Sequence, residues 1–159
     1  MNSESLRGRV GLVTGASSGI GAAVAHALAR EGAHVALAAR REDALFEVQT
    51  GLNHRGDEAR SLVAAIDVTD RGQVKSLVAR VERELGPVDV LVNCAGIMYY
   101  TLMKNLYEDD WERTVDVNCK GALNCIGAAL PGMLARGRGH VVTISSDAGR
   151  KVFPGLSVY

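Results

Sequence analysis

The stretch Thr14-Gly15-Ala16-Ser17-Ser18-Gly19-Ile20-Gly21 decides how this chain is read. It follows a short apolar, β-rich run, Val10–Thr14, and opens a segment of helical periodicity in which Ile20, Ala23, Val24, Ala27 and Leu28 form one face. Glycines at 15, 19 and 21 allow a tight turn, close approach of backbone to a pyrophosphate, and close helix–strand packing. The helix that follows offers unpaired N–H groups and a partial positive charge to phosphate. Glycines alone serve turns for conformational reasons. A position directly after a strand and before a helix is the context a dinucleotide-binding loop requires.

Outward from this loop the same alternation repeats. Near-continuous apolar runs at His34–Ala39, Ser61–Ile66, Val88–Val92 and Val141–Ile144 read as strands covered on both faces. Between them lie helical stripes: Leu45, Val48 and Leu52, then Val74, Leu77, Val78, Val81 and Leu85, entered after the capping residue Asp70. A longer helix is expected from about Asp109 to Arg136, with Pro131 bending or ending its last turns. Gly32, Gly86 and Gly139 stand where helices stop. Repeated strand–helix units imply an α/β fold: a Rossmann-type doubly wound parallel sheet, three layers deep, with strand order 3-2-1-4-5. Linkers are short, so residues 1–159 read as one dinucleotide-binding domain.

Bulk properties narrow the function classes. The 159 residues are 47% hydrophobic and 23% charged with formal net charge zero, which gives no footprint for nucleic acid or an acidic membrane surface. No apolar run approaches the ~20 residues of a membrane span, and the polar N-terminus is no signal peptide. Cys94, Cys119 and Cys125 lack metal-ligand spacing and read as reduced thiols of a cytoplasmic protein. His26, His34, His54 and His140 are scattered and pair with no candidate nucleophile, and no metal site is expected.

The spacing Gly-xxx-Gly-x-Gly after a Thr resembles the short-chain dehydrogenase/reductase family, and the resemblance runs along essentially the whole chain. It implies an oxidoreductase moving a hydride between a nicotinamide cofactor and an alcohol or carbonyl, with Gly15, Ser17, Ser18, Gly19, Ile20 and Gly21 holding the cofactor. After the second strand, Ala39 stands where an NAD-preferring site places an acid; Arg40 and Arg41 follow and offer charge to a 2′-phosphate. NADP(H) is therefore expected over NAD(H), although two arginines can also merely finish a strand in solvent. The resemblance gives Asp67 and Val68 to the adenine; the alternative for Asp67 is a turn that bonds its own backbone. Asn93-Cys94-Ala95-Gly96 matches the family's Asn-Asn-Ala-Gly except at Cys94, and puts Asn93, Ala95 and Gly96 at the cofactor, with Asn93 tying neighbouring strands.

Trp111, Val115, Asn118 and Ala122 fall on one helical face expected to pack inward, and the family places a catalytic Asn at Asn118, where it helps hold a water in a proton relay. Ser146, thirteen positions before Tyr159, matches the serine that hydrogen-bonds the substrate oxygen, with Ser145 the weaker candidate. A tyrosine hydroxyl can protonate the new alkoxide, but its ordinary pKa near ~10 calls for a cation beside it. In the family that is a Lys four residues after the Tyr, past the last residue here. The chain thus resembles the first three-fifths of a member, ending before the C-terminal segment that walls the substrate. Met98-Tyr99-Tyr100 either lines the substrate entrance or is a packed loop. The long helix suggests a homo-dimer or homo-tetramer, by resemblance. A non-catalytic dinucleotide-binding sensor or scaffold of the same fold is the competing reading.

Overall fold

The computed structural model describes residues 6–53 and 59–159; His54 and the first residues of the N-terminus lie outside them. Strands β1 (Val10–Thr14), β2 (His34–Ala39), β3 (Ser61–Ala65), β4 (Val88–Asn93) and β5 (His140–Thr143) form one sheet of order β3-β2-β1-β4-β5. Every pairing is parallel, in the expected order. All of β1 is buried, because the side chains of its alternate residues enter two separate cores. Val10 and Leu12 pack with Val74, Val81 and Ala129, whereas Val13 joins Val35, Leu37 and Ala25.

The first core lies under α3 (Arg71–Glu84) and α5 (Ala122–Ala135), the second under α1 (Gly19–Arg30) and α2 (Glu42–Thr50). The predicted stripe of α3 is buried as expected, at Val74, Leu77, Val78 and Val81, with Leu85 just beyond the helix. Asp70 caps this helix by accepting from the backbone N–H of Gly72 and Gln73 at 2.8 and 3.0 Å. Those bonds, led by the one from Gln73, hold its carboxyl below the usual range.

Two helical faces differ from the periodicity. In α1 Val24 and Leu28 of the expected face pack against the second core, but the fully buried residues are Gly21, Ala25 and Ala29; Ala23 and Ala27 are exposed, and Ile20 is 61% exposed. The first turn of the helix approaches the loop so closely that no side chain fits at Gly21, where a Cβ would lie 2.3 Å from the Gly15 carbonyl oxygen. The long helix begins as α4 (Glu108–Val115), passes through a π-helical turn at Asp116–Gly121 and continues as α5 past Pro131 to Ala135. Its buried stripe is Thr114, Gly121, Cys125, Ala129 and Met133, while Val115 is 41% exposed. The stripe is thus shifted by one residue from the expected Val115 and Ala122, because Gly121 presses against Val68. After this helix the left-handed residue is Gly137, with φ 62°, rather than Gly139.

One buried acid went unread in the sequence. The β1–β4 register skips Asp89 between Val88 and Val90, a bulge in which the Asp89 carboxylate accepts the Val10 N–H at 3.1 Å. Arg9 and Arg138 lie 3.3 and 3.4 Å from the same carboxylate and balance its charge. No helix among the described residues is long and apolar enough to cross a membrane.

Candidate cofactor and active site

The carboxyl ends of β1, β2, β3 and β4 open onto a cavity of about 410 Å³. Gly15, Ser17, Ser18, Ile20 and Gly21 form one wall; Ala39, Arg40 and Arg41 form a second. Asp67, Val68, Ala95 and Gly96 complete it from the β3 and β4 ends. The order β2-β1-β4 puts the chain reversal at the crevice between β1 and β4, where ligands of open α/β sheets bind. Ile66, Ile97 and Val117 also line the cavity and were missed in the sequence. Ile66 ended a predicted strand and Ile97 followed the Asn-Cys-Ala-Gly motif, so their positions were the available signal.

The loop has the shape of a cradle. Gly15 has φ 65°, and a Cβ there would stand 2.7 Å from the backbone of Cys94 and Ala95. Gly19 has φ 55° with open space around it, and does not line the cavity. Ser18 sits at the N-cap of α1, yet its side chain makes no capping bond. Its hydroxyl instead accepts from Arg41 Nη2 at 2.9 Å, and Ser17 Oγ lies 3.2 Å from the same nitrogen. The first N–H groups of the helix are thus left without a side-chain acceptor. Glycine where a Cβ would collide, uncapped N–H groups and adjacent arginines fit a dinucleotide's phosphates.

Asp67 makes the turn and also faces the cavity. Its Oδ1 accepts from Thr69 N and Oγ1 at 2.9 and 2.8 Å, which is the self-bonded turn held open in the sequence. Asn93 ties neighbouring strands as expected but stands behind the cavity rather than in its wall. It is 3% exposed and absent from the cavity wall, and Nδ2 donates to Thr143 Oγ1 at 3.3 Å, joining β4 to β5. Its Oδ1 is buried without a partner. Thr14, also buried, accepts from the Ala95 N–H at 3.3 Å and fixes the next residues against β1. Cys94 faces the cavity, and burial pushes its thiol up.

Asn118 sits in the π-helical turn, a distortion that recurs at functional sites. Its Oδ1 accepts from Ile97 N at 2.8 Å and its Nδ2 donates to Ile97 O at 2.9 Å. The amide therefore clasps the loop after β4 to the long helix. Ser146 caps the short turn Asp147–Gly149, its Oγ accepting from Ala148 N at 3.1 Å. Tyr159 is 38% exposed and lines a second, small cavity with Tyr99 and Trp111. Neither Ser146 nor Tyr159 lines the large cavity, and Ser146, Tyr159 and Asn118 share neither of these two cavity walls. The segment from Ser145 is held by the turn at Asp147–Gly149 and by one isolated bridge, Thr101 to Leu156.

The short chain dehydrogenase family model matches residues 9–159. The chain belongs to this family. It is 65% identical over 154 residues to a glycine betaine reductase of Emericella nidulans, covering 97% of this chain and 12% of that protein. It is 42% identical to an oxidoreductase of Listeria monocytogenes, covering 97% of this chain and 61% of the relative. Among solved structures, a metagenomic short-chain oxidoreductase in complex with NADP superposes with a TM-score of 0.89 at 33% identity, covering 98% of this chain and 70% of that one. The chain thus spans between about one-eighth and three-fifths of the length of these two relatives.

Proposed function

We propose that residues 1–159 are the cofactor-holding part of an NADP(H)-dependent reductase, ending before the segment that closes over the substrate. The observation that carries this reading is the cavity wall at the end of β2: buried Ala39 where an acid would meet the 2′-hydroxyl, then exposed Arg40 and Arg41. The loop Gly15–Gly21 would take the pyrophosphate on its N–H groups. Arg40, Arg41 and the Ser17 and Ser18 hydroxyls would hold the 2′-phosphate. Asp67 and Val68 would flank the adenine, with Ala95 and Gly96 beside the second ribose. Asn93 would act from behind, keeping β4 and β5 in register.

NADPH, when bound, supplies the hydride. Ser146 would hold the carbonyl oxygen, and Tyr159 would transfer its hydroxyl proton to that oxygen as the alcohol forms. The resulting phenolate would be reprotonated through a water relay held at Asn118. Both polar atoms of the Asn118 side chain bond Ile97, and the amide's second acceptor and donor sites would hold that water. The competing reading, a non-catalytic sensor, draws on the separation of Tyr159 from the large cavity.

For the substrate we take up the trimethylammonium acid in the name of the 65%-identical relative. A free carboxylate is too electron-rich to accept hydride, so the group reduced here is the aldehyde of such an acid. Exposed Leu123, Leu130 and Leu134 on α5 support a homo-dimer or homo-tetramer paired through that helix. Three free cysteines fit the cytoplasm.

The test is a pair of dissociation constants, NADPH and NADH, for the parent and Arg40→Ala. The expected result is tighter NADPH binding, lost selectively in the variant. Equal or tighter NADH binding by the parent would sink the cofactor assignment. Turnover of an aldehyde panel that is unchanged by Tyr159→Phe would remove Tyr159 from the reaction.

A further inference from the structure

Aromatic residues are scarce in this chain, with one Trp, four Tyr and two Phe, and they are unevenly placed. Trp111 and every tyrosine lie within residues 99–159. Three of them, Tyr99, Trp111 and Tyr159, line the second cavity, beside Asp110, Met103 and Thr114. The Asp110 carboxylate has no hydrogen-bond or ion-pair partner among the described residues, and with Glu108 and Asp109 it makes the first turn of α4 acidic. Trp111 Nε1 is buried and also has no partner.

An unpaired carboxylate beside three aromatic rings and a thioether is the chemistry that receives a quaternary ammonium group. Such a cation offers no N–H, so hydrogen-bond acceptors cannot select it; ring faces and a diffuse negative charge can. We propose that Tyr99, Trp111, Tyr159 and Asp110 form the pocket for the trimethylammonium end of the substrate. This rests on the reductase reading above and deepens it. In the aldehyde of such an acid one methylene separates nitrogen from carbonyl, so a cage that includes the Tyr159 ring keeps the carbonyl near the Tyr159 hydroxyl. The unpaired Trp111 N–H is a further donor beside it.

As it stands the cavity holds about 10 Å³, roughly the room of one water. Its outer wall is Tyr159, 38% exposed, and Met103, 45% exposed, and exposed side chains rotate in picoseconds to nanoseconds. Binding therefore widens the pocket by outward rotation of Met103, while Tyr159, Trp111 and Tyr99 stay in its wall.

Trp111 is the chain's one tryptophan, so its emission reports on this cavity directly. The chain is titrated with choline and with 3,3-dimethylbutan-1-ol, its uncharged isostere. A saturable change with choline, at least tenfold tighter than with the isostere, is expected. Asp110→Asn and Tyr99→Leu should each weaken choline about fivefold or more and leave the NADPH dissociation constant unchanged, which also shows that the variants are folded. An equal response to the uncharged isostere, or choline binding untouched by both substitutions, overturns the proposal. NADPH binding without choline discrimination removes this pocket and leaves the reductase reading standing; choline binding at Trp111 without NADPH binding does the reverse.

Discussion

Replacing each loop glycine by alanine separates two reasons for having glycine. At Gly19 the backbone is left-handed, φ 55°, and a Cβ would meet nothing within 4 Å, so only the conformational term applies. That term is roughly 1–2 kcal/mol for a non-glycine residue. At Gly21 the helical φ suits any residue, but the Cβ would lie 2.3 Å from the Gly15 carbonyl oxygen. Alanine gains up to about 1 kcal/mol in helix propensity there, against an overpacking term of about 1–3 kcal/mol or more, because a backbone oxygen cannot rotate away. At Gly15 both terms act: φ 65° and a Cβ 2.7 Å from the Cys94 and Ala95 backbone. The sum there is about 3 kcal/mol or more.

Urea unfolding without cofactor should thus rank Gly15→Ala as the most destabilised, ahead of Gly19→Ala and Gly21→Ala. The NADPH dissociation constant should separate those last two. Gly21→Ala must push Gly15 outward and shift the cradle, so binding should weaken at least tenfold. Gly19→Ala strains one residue that does not line the cavity, and the loss should stay below tenfold. A Gly21→Ala variant that binds NADPH like the parent would refute the close approach as the reason for glycine at 21.

Asn118→Ala removes both bonds to Ile97 and should cost about 2 kcal/mol in urea unfolding; a loss within error would mean that the clasp does not hold the loop. Iodoacetamide followed by mass spectrometry should label exposed Cys119 first and Cys125 only on unfolding, with NADPH slowing Cys94, which faces the large cavity. Burial pushes the Cys125 thiol up to about 11 from its usual 9.0, so its contribution to stability is complete below pH 9 and lost between 9 and 11. That contribution is up to about 2–3 kcal/mol, and Cys125→Ala should flatten the fall in stability over that window by a matching amount. Leu134→Asp, at a side chain 71% exposed on α5, should shift sedimentation from oligomer toward monomer without changing NADPH affinity.

The sheet and most of the large cavity were legible because they rest on local signals. β1 and β2 fall on the residues their apolar runs indicate; the glycine loop follows β1 directly, the Ala39-Arg40-Arg41 corner starts at the last residue of β2, and Asp67-Val68 lies within three residues of the end of β3. What failed to show has long-range causes. The Ile97–Asn118 clasp spans 21 residues, the Asp89 contact with β1 spans 79, and the Tyr99–Trp111–Tyr159 cavity joins a loop, a helix and the last residue. The misread faces of α1 and of the long helix have another origin, shared by both. Periodicity is scored by apolar bulk, but where a helix must approach backbone or a stiff Val68 most closely, bulk is excluded and Gly21, Ala25, Ala29 and Gly121 take the buried positions. At both places the contact that removes the hydrophobic signal also shapes the large cavity: Gly21 sits on Gly15, and Gly121 sits on Val68. In this fold the buried stripe of a helix is therefore hardest to read where it supports the cofactor cavity, and a small residue out of phase with the apolar pattern is the better mark of the site.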